Sequence, residues 1–258
     1  MIILFRTCGG LGNQLYQLFF CKLISIKYNT TKIRHFHSTN YERYAEWEVP
    51  LELSKVENFF YSFLIKLRIP TLLFRLGLNK SGYFNFFNLI LIDNYYQHKD
   101  FYELFNKNEI VIAIEYIRGL TIIDKKDNIK DEILYHFRLG DFFENTQDEM
   151  NYIEQNLMNV PDGSTIISNK DDLFNNSQEL SNFLKNKNCR YLDSSHMNAV
   201  ELLNLFYHYK LIYSNGSSLS YFAATLSNSD VLPISESNNK YQEDSIRRLE
   251  DLKKIINN

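Results

Sequence analysis

The sequence predicts an α/β fold resting on doubly wound parallel sheet, and three observations carry that prediction. The chain opens with a strand at 2–6, the glycine loop Gly9-Gly10-Leu11-Gly12-Asn13, and a helix at 14–27. From residue 133 onward short β-prone runs alternate with helical ones, the order that builds a parallel sheet with helices on both faces. Polar clusters follow several apolar runs, at the strand ends where such sheets bind their ligands.

A chain of 258 residues holds one large α/β domain or two modest ones sharing a cleft. The polar run 124–132 is the candidate junction, dividing 1–125 from 126–240 and leaving 241–258 as a C-terminal helix. A hydrophobic share of 45% against 23% charged residues excludes a disordered chain. The net charge of −3 gives no general drive toward nucleic acid, so any anion must be met by local groups. Cys8, Cys21 and Cys189 are odd in number and lack metal-ligand spacing, which favours a reducing compartment and core thiols. No basic leader with a small-residue cleavage site precedes the first strand, so a cytoplasmic location is expected.

In the first helix Leu15, Leu18, Phe19, Leu23 and Ile26 recur at helical spacing. The glycine loop before it can offer backbone N–H groups and a helix dipole to an anion or polar ligand. Its spacing is not Gly-x-Gly-x-x-Gly, so nicotinamide binding is not expected. A second strand at 32–36 follows, with His35 and His37 on one face; a pair with no third ligand reads as a strand edge rather than a metal site.

Residues 59–92 are dominated by Phe, Leu and Ile, interrupted by Lys66, Arg68, Arg75 and Lys80 and broken at Pro70, Gly77 and Gly82. No charge-free span reaches the ~20 apolar residues a membrane crossing needs. The expectation is a pair of helices whose apolar faces enter the core. A basic amphipathic segment in peripheral contact with an anionic membrane is the alternative. The segment 93–101 mixes Tyr95, Tyr96, Gln97 and His98, side chains suited to the hydroxyls and ring faces of carbohydrate.

In the second half, helices are expected at 150–158, 172–186, 198–209 and 241–256, with a further one before 229. Strands are expected at 164–168, 190–192, 211–213 and 229–234. Three polar clusters fall at strand ends: His136 to Asp141, Ser168-Asn169-Lys170-Asp171, and Ser214-Asn215-Gly216-Ser217-Ser218. On an extended segment His136 and Arg138 share a face, and a guanidinium there suits a phosphate because it is always charged and presents paired donors in one plane. The Ser-rich cluster opens a helix, so its hydroxyls and N–H groups form a second anion cradle.

Four stretches, in order along nearly the whole chain, together resemble the bacterial α-1,2-fucosyltransferases of glycosyltransferase family 11. They are Gly9-Gly10-Leu11-Gly12-Asn13-Gln14-Leu15-Tyr16-Gln17, Asn94-Tyr95-Tyr96-Gln97-His98-Lys99-Asp100-Phe101, His136-Phe137-Arg138-Leu139-Gly140-Asp141-Phe142, and Ser217-Ser218-Leu219-Ser220-Tyr221-Phe222-Ala223-Ala224. The resemblance implies a GT-B architecture, two Rossmann-like domains facing across a cleft, with an acceptor-side N-terminal domain and a C-terminal domain that holds the sugar nucleotide. It implies GDP-fucose as donor, inversion at the anomeric carbon, no cofactor and no obligatory metal. The acceptor it implies is an oligosaccharide or lipid-linked glycan of surface polysaccharide such as O-antigen.

Carried over by position, Arg138 would hold the β-phosphate, with Ser217 and Ser218 on the same diphosphate. Gly10, Gly12 and Asn13 would reach the donor, and Asp171 would meet the guanosine. Tyr96, Gln97 and His98 fall on the acceptor side. Catalytic roles go to Arg138, with His136 and Asp141 as its supports; Asp141, Glu144, His98 and Glu115 are the candidate bases. The family usually has a second arginine where Leu139 stands, tryptophans at Tyr221 and Phe222, and an asparagine at Gly216. The same fold with another sugar nucleotide or linkage, and a non-catalytic binder of nucleotide sugar or glycan, are the alternatives.

Overall fold

The computed structural model of the chain describes residues 1–37, 48–49, 51–57, 59–122, 130–139, 143, 145–234 and 240–257. Within them the architecture is α/β. Two compact units form, one of Met1–Ile123 with Asp251–Asn258 and one of Asp124–Glu250, each around its own Rossmann-like sheet.

The first unit runs β1 (Ile2–Thr7), α1 (Leu11–Lys27), β2 (Ile33–His37), α2 (Phe59–Lys66), α3 (Ile69–Arg75), β3 (Tyr83–Phe86), β4 (Leu89–Ile92) and α4 (Lys107–Thr121). Its strand order is β2-β1-β4-β3, with β1 parallel to both neighbours and β3 antiparallel at the edge. Because β2 and β4 lie on opposite sides of β1, the chain changes direction there, and the carboxyl end of β1 is a topological switch point. Helix α1 starts because Gly9 turns the chain at φ +82° and Gly10 caps in extended conformation. Phe20 of α1 stacks on Tyr96 with centroids 4.0 Å apart and meets Phe101, Tyr102 and Phe105 edge-on, an aromatic core on one side of the sheet. Leu4, Ile65 and Leu91 form the core of the other side.

The expectation for 59–92 is corrected in two ways. Its second half is not helical: Gly77, at φ +69°, ends α3, Gly82 turns the chain at φ +75°, and an antiparallel hairpin of β3 and β4 follows. And the apolar faces of the helices do not all enter the core, since Phe59, Phe60, Phe63, Leu67 and Leu72 are exposed. A helix apolar on most of its circumference gives no period from which the inward side can be read.

The second unit runs β5 (Lys130–Phe137), α5 (Thr146–Leu157), β6 (Thr165–Ser168), α6 (Asp171–Asn176), α7 (Gln178–Asn186), β7 (Arg190–Tyr191), α8 (Ala199–Tyr207), β8 (Tyr209–Ser214), α9 (Ser218–Ser227), β9 (Asp230–Pro233) and the first part of α10 (Lys240–Asn257), a helix whose residues from Asp251 on belong to the first unit. The strand order β7-β6-β5-β8-β9 is parallel throughout. The chain winds from β5 outward through β6 and β7, then returns to the other side for β8 and β9, so the switch point lies between β5 and β8. The single helix expected at 172–186 is two. Ser177 stops α6 and caps α7, its hydroxyl accepting the Leu180 N–H at 3.3 Å. Tyr135, Phe137, Leu139, Ile153 and Ile166 form the core between the sheet and α5–α7.

Candidate functional site

The two switch points collect most of the residues singled out in the sequence. In the second unit the ladders of β5 end at His136↔Ser214 and Phe137↔Ser168. One residue further on each side stands an asparagine, and its amide replaces the next peptide. Asn215 accepts the Arg138 N–H at 2.7 Å and donates to the Arg138 carbonyl at 2.6 Å. Asn169 does the same for Leu139, at 2.7 and 3.1 Å. The segment leaving β5 is thus pinned from both flanks and its backbone polar groups are satisfied, which fixes where the Arg138 side chain departs.

Arg138 itself is half-buried, whereas Leu139 is in the core. His136 is 7% exposed and packs its ring on Phe206, centroids 4.7 Å apart. Burial, with the Arg138 charge adding to it, lowers its pKa to about 3, so the imidazole is neutral at pH 7. Asp141 and Glu144 lie outside the described residues.

Beyond β8, Gly216 turns at φ +94° and Ser217 caps α9 without a side-chain capping bond. The Ser217 N–H reaches the Ser214 hydroxyl at 3.3 Å, and the Ser220 hydroxyl lies 2.8 Å from that of Ser214. The N–H groups of Ser218, Leu219 and Ser220 precede the first intrahelical bond, from the Tyr221 N–H to the Ser217 carbonyl. The first turn carries no acidic side chain, so the positive end of the helix is not neutralised from within it. Tyr221 and Phe222 are fully buried.

Asp171 opens α6, and its carboxylate is engaged by the protein: Oδ1 accepts from the Tyr191 hydroxyl at 2.6 Å and the Ser194 N–H at 2.9 Å, and Oδ2 lies 3.3 Å from the Ser194 hydroxyl. It ties α6 to the loop after β7.

In the first unit the glycine loop is braced by its own helix. The Gln14 amide donates to the Gly9 carbonyl at 2.9 Å, and Gln17 accepts the Cys8 N–H at 3.1 Å. Gly9 holds φ +82°, which favours glycine, and a Cβ there would lie 2.6 Å from Asn13 Nδ2, so the Asn13 amide would have to shift. Asn13 Oδ1 accepts from Gln97 Nε2 at 2.7 Å, which joins the glycine loop to the aromatic-Gln segment across 84 residues. Gly10, Asn13, Gln97 and His98 are half-buried and Gly12 is buried. The expectation that Tyr96 meets an acceptor is corrected. It is 0% exposed, and its hydroxyl donates to the Gly82 carbonyl at 2.8 Å and accepts the Asp93 N–H at 2.9 Å. His98 sits with Nδ1 3.4 Å from the Asp100 carboxylate, and Glu115 pairs with Arg118 on α4.

Several polar residues at these strand ends gave no signal in the sequence. Thr7, at the end of β1, holds its hydroxyl 2.7 Å from His35 Nε2 and 3.0 Å from His37 Nδ1. Burial foremost, with His37 and Lys55 nearby, lowers the His35 pKa to about 4. Arg6 and Asp93, adjacent at the ends of β1 and β4, are both buried; Asp93 Oδ1 accepts from the N–H and hydroxyl of Thr71 at 3.0 and 2.9 Å. Burial lowers the pKa of Arg6 and raises that of Asp93. Among the described residues no group of three or more His, Cys, Asp or Glu side chains is arranged to hold a metal ion. Among them also, no helix is long and apolar enough to cross a membrane.

No protein-family model matches the chain, and no curated protein matches it. Among solved structures it is similar to a protein described as a UDP-N-acetylglucosamine 2-epimerase from Listeria monocytogenes, at 9% identity and a TM-score of 0.38, over 100% of this chain and 88% of that one. A likeness that distant carries no argument about activity.

Proposed function

We propose that the protein is an inverting glycosyltransferase that moves fucose from GDP-fucose to a hydroxyl of a glycan acceptor, the 2-hydroxyl of a galactose being the one the family resemblance implies. The observation that carries the reading is the pinned backbone of Arg138 at the switch point of the second sheet. The same asparagine that pins it, Asn215, stands two residues before the cap of α9.

When a sugar leaves a nucleoside diphosphate, negative charge develops on the departing phosphate oxygen. Fixed cations and N–H dipoles aimed there lower the barrier because they need no reorganisation. Arg138 supplies the cation in this scheme, and Ser217 and Ser218 at the start of α9 supply hydroxyl and N–H donors. His136 is neutral and packed, so it supports the strand end rather than carrying a proton. Asp171 remains the proposed guanosine contact through the acceptor capacity its three protein donors leave over. In the first unit, Gly10, Gly12 and Asn13 are assigned to donor contact and Gln97 and His98 to the acceptor. Asp141 is assigned to orienting Arg138. The scheme asks for no metal, and acts on oligosaccharide or lipid-linked precursors in the cytoplasm.

The test is a panel of GDP- and UDP-sugars with galactose-terminated acceptors, scored by released nucleotide and by NMR of the product linkage. Release of GDP with an α-1,2-fucosyl product is expected. Release of UDP instead would keep the fold and replace the donor. Binding of GDP-fucose with neither transfer nor hydrolysis would replace the enzyme with a binding protein.

A further inference from the structure

We propose that the α2–α3 layer and the β3–β4 turn of the first unit form a docking surface for an anionic lipid bilayer. This does not rest on the transferase reading. Helix α2 is turned inside out relative to a surface helix. At about 100° per residue, Lys66, Phe59, Phe63, Leu67 and Phe60 fall on one arc, and that arc is the exposed one, with Phe59 at 86%. Ile65, on the opposite side, is the residue of α2 that enters the core with Leu4 and Leu91.

Strand β3 adds to the surface on the same face of the sheet. Phe84 packs against the Leu4–Ile65–Leu91 cluster, and Phe86, two residues on in β3, points the same way. Phe86 meets Phe87 edge-on at 4.5 Å, and Phe87 is 84% exposed at the tip of the hairpin. Leu72 and Leu76 of α3 and Leu78 just after it are exposed as well, Leu78 at 72%. This many exposed aromatic and leucine side chains within residues 59–87 exceeds the scattered exposure ordinary for a soluble chain.

Charge chooses the occupant. Between Glu57 and Asp93 there is no carboxylate, in a chain with 31 acidic residues, while Lys66, Arg68, Arg75 and Lys80 all fall in that stretch. Lys66, Arg75 and Lys80 are exposed. Exposed apolar side chains together with exposed cations, in a stretch of 35 residues that holds no carboxylate, match an anionic leaflet and not a neutral one.

The experiment sediments the full-length protein with vesicles of phosphatidylcholine alone and with about 30 mol% phosphatidylglycerol, at about 0.05 M and about 0.5 M NaCl. Binding is expected on the anionic vesicles, weakened by salt. Phe63→Ser with Phe87→Ser should lower the partition coefficient at least ~10-fold, and Arg75→Glu with Lys80→Glu should lower it at least ~25-fold, each lost cation being worth about fivefold. Circular dichroism checks that both variants fold. Equal distribution on both vesicle types, or partition of a folded variant equal to wild type, overturns the proposal. So does concentration-dependent self-association without vesicles that the Phe63→Ser, Phe87→Ser variant abolishes, since a second copy would then be the occupant.

Discussion

Asn215 and Arg138, 77 residues apart, exchange two hydrogen bonds between a side-chain amide and a main-chain peptide, at 2.7 and 2.6 Å. Asn215 is fully buried, so truncating it leaves a buried N–H and carbonyl without partners. Asn215→Ala is expected to cost ~2–4 kcal/mol of stability, read by urea unfolding. Nucleotide binding should be lost even where the variant stays folded. A variant as stable as wild type would remove the clamp from the account.

The folded imidazole of His136 has its pKa near 3 because burial disfavours its charged form, whereas an unfolded histidine takes a proton near 6.5. Between those values the unfolded state holds one more proton than the folded one. The stability from keeping His136 neutral is therefore complete above about pH 6.5 and is lost as pH falls toward 3. Unfolding free energy should fall by about 1.4 kcal/mol per pH unit for this group, and His136→Phe should flatten the profile by that slope. His35, near 4, adds a second such contribution, so His35→Phe should flatten it further.

Gly9→Ala tests the loop from within. The backbone is held at φ +82° and the added methyl would meet Asn13 Nδ2 at 2.6 Å. A cost of ~1–3 kcal/mol is expected. It should come with altered amide resonances for Asn13 and Gln97.

A double-mutant cycle of Asn13→Ala and Gln97→Ala measures their 2.7 Å bond directly. A coupling of ~0.5–1.5 kcal/mol is expected in thermal unfolding. Strict additivity would mean the two segments are joined by backbone packing alone.

The alternation of strands and helices after residue 133 and the glycine loop were legible because each rests on local signals: β-prone runs, turn residues, helical spacing. Asn169 and Asn215 were read only as members of polar clusters. Their partners lie 30 and 77 residues away, and nothing in a local stretch distinguishes an asparagine that binds a ligand from one that completes a ladder. Tyr96 misled for a related reason. An aromatic residue with a hydroxyl suits carbohydrate equally whether it is exposed or, as here, stacked on Phe20 inside the core. Helix α2 shows the limit of periodicity: the sequence holds the apolar residues but not which arc the sheet covers.

The most direct test of the diphosphate site is calorimetric titration of GDP into the wild-type protein and into Arg138→Ala, with Arg247→Ala, exposed on α10, as control. Loss of a charge-assisted contact worth about 1.5–3 kcal/mol predicts a Kd raised roughly 10- to 100-fold for Arg138→Ala and unchanged for the control. A folded Arg138→Ala variant that binds GDP as tightly as wild type would contradict the account.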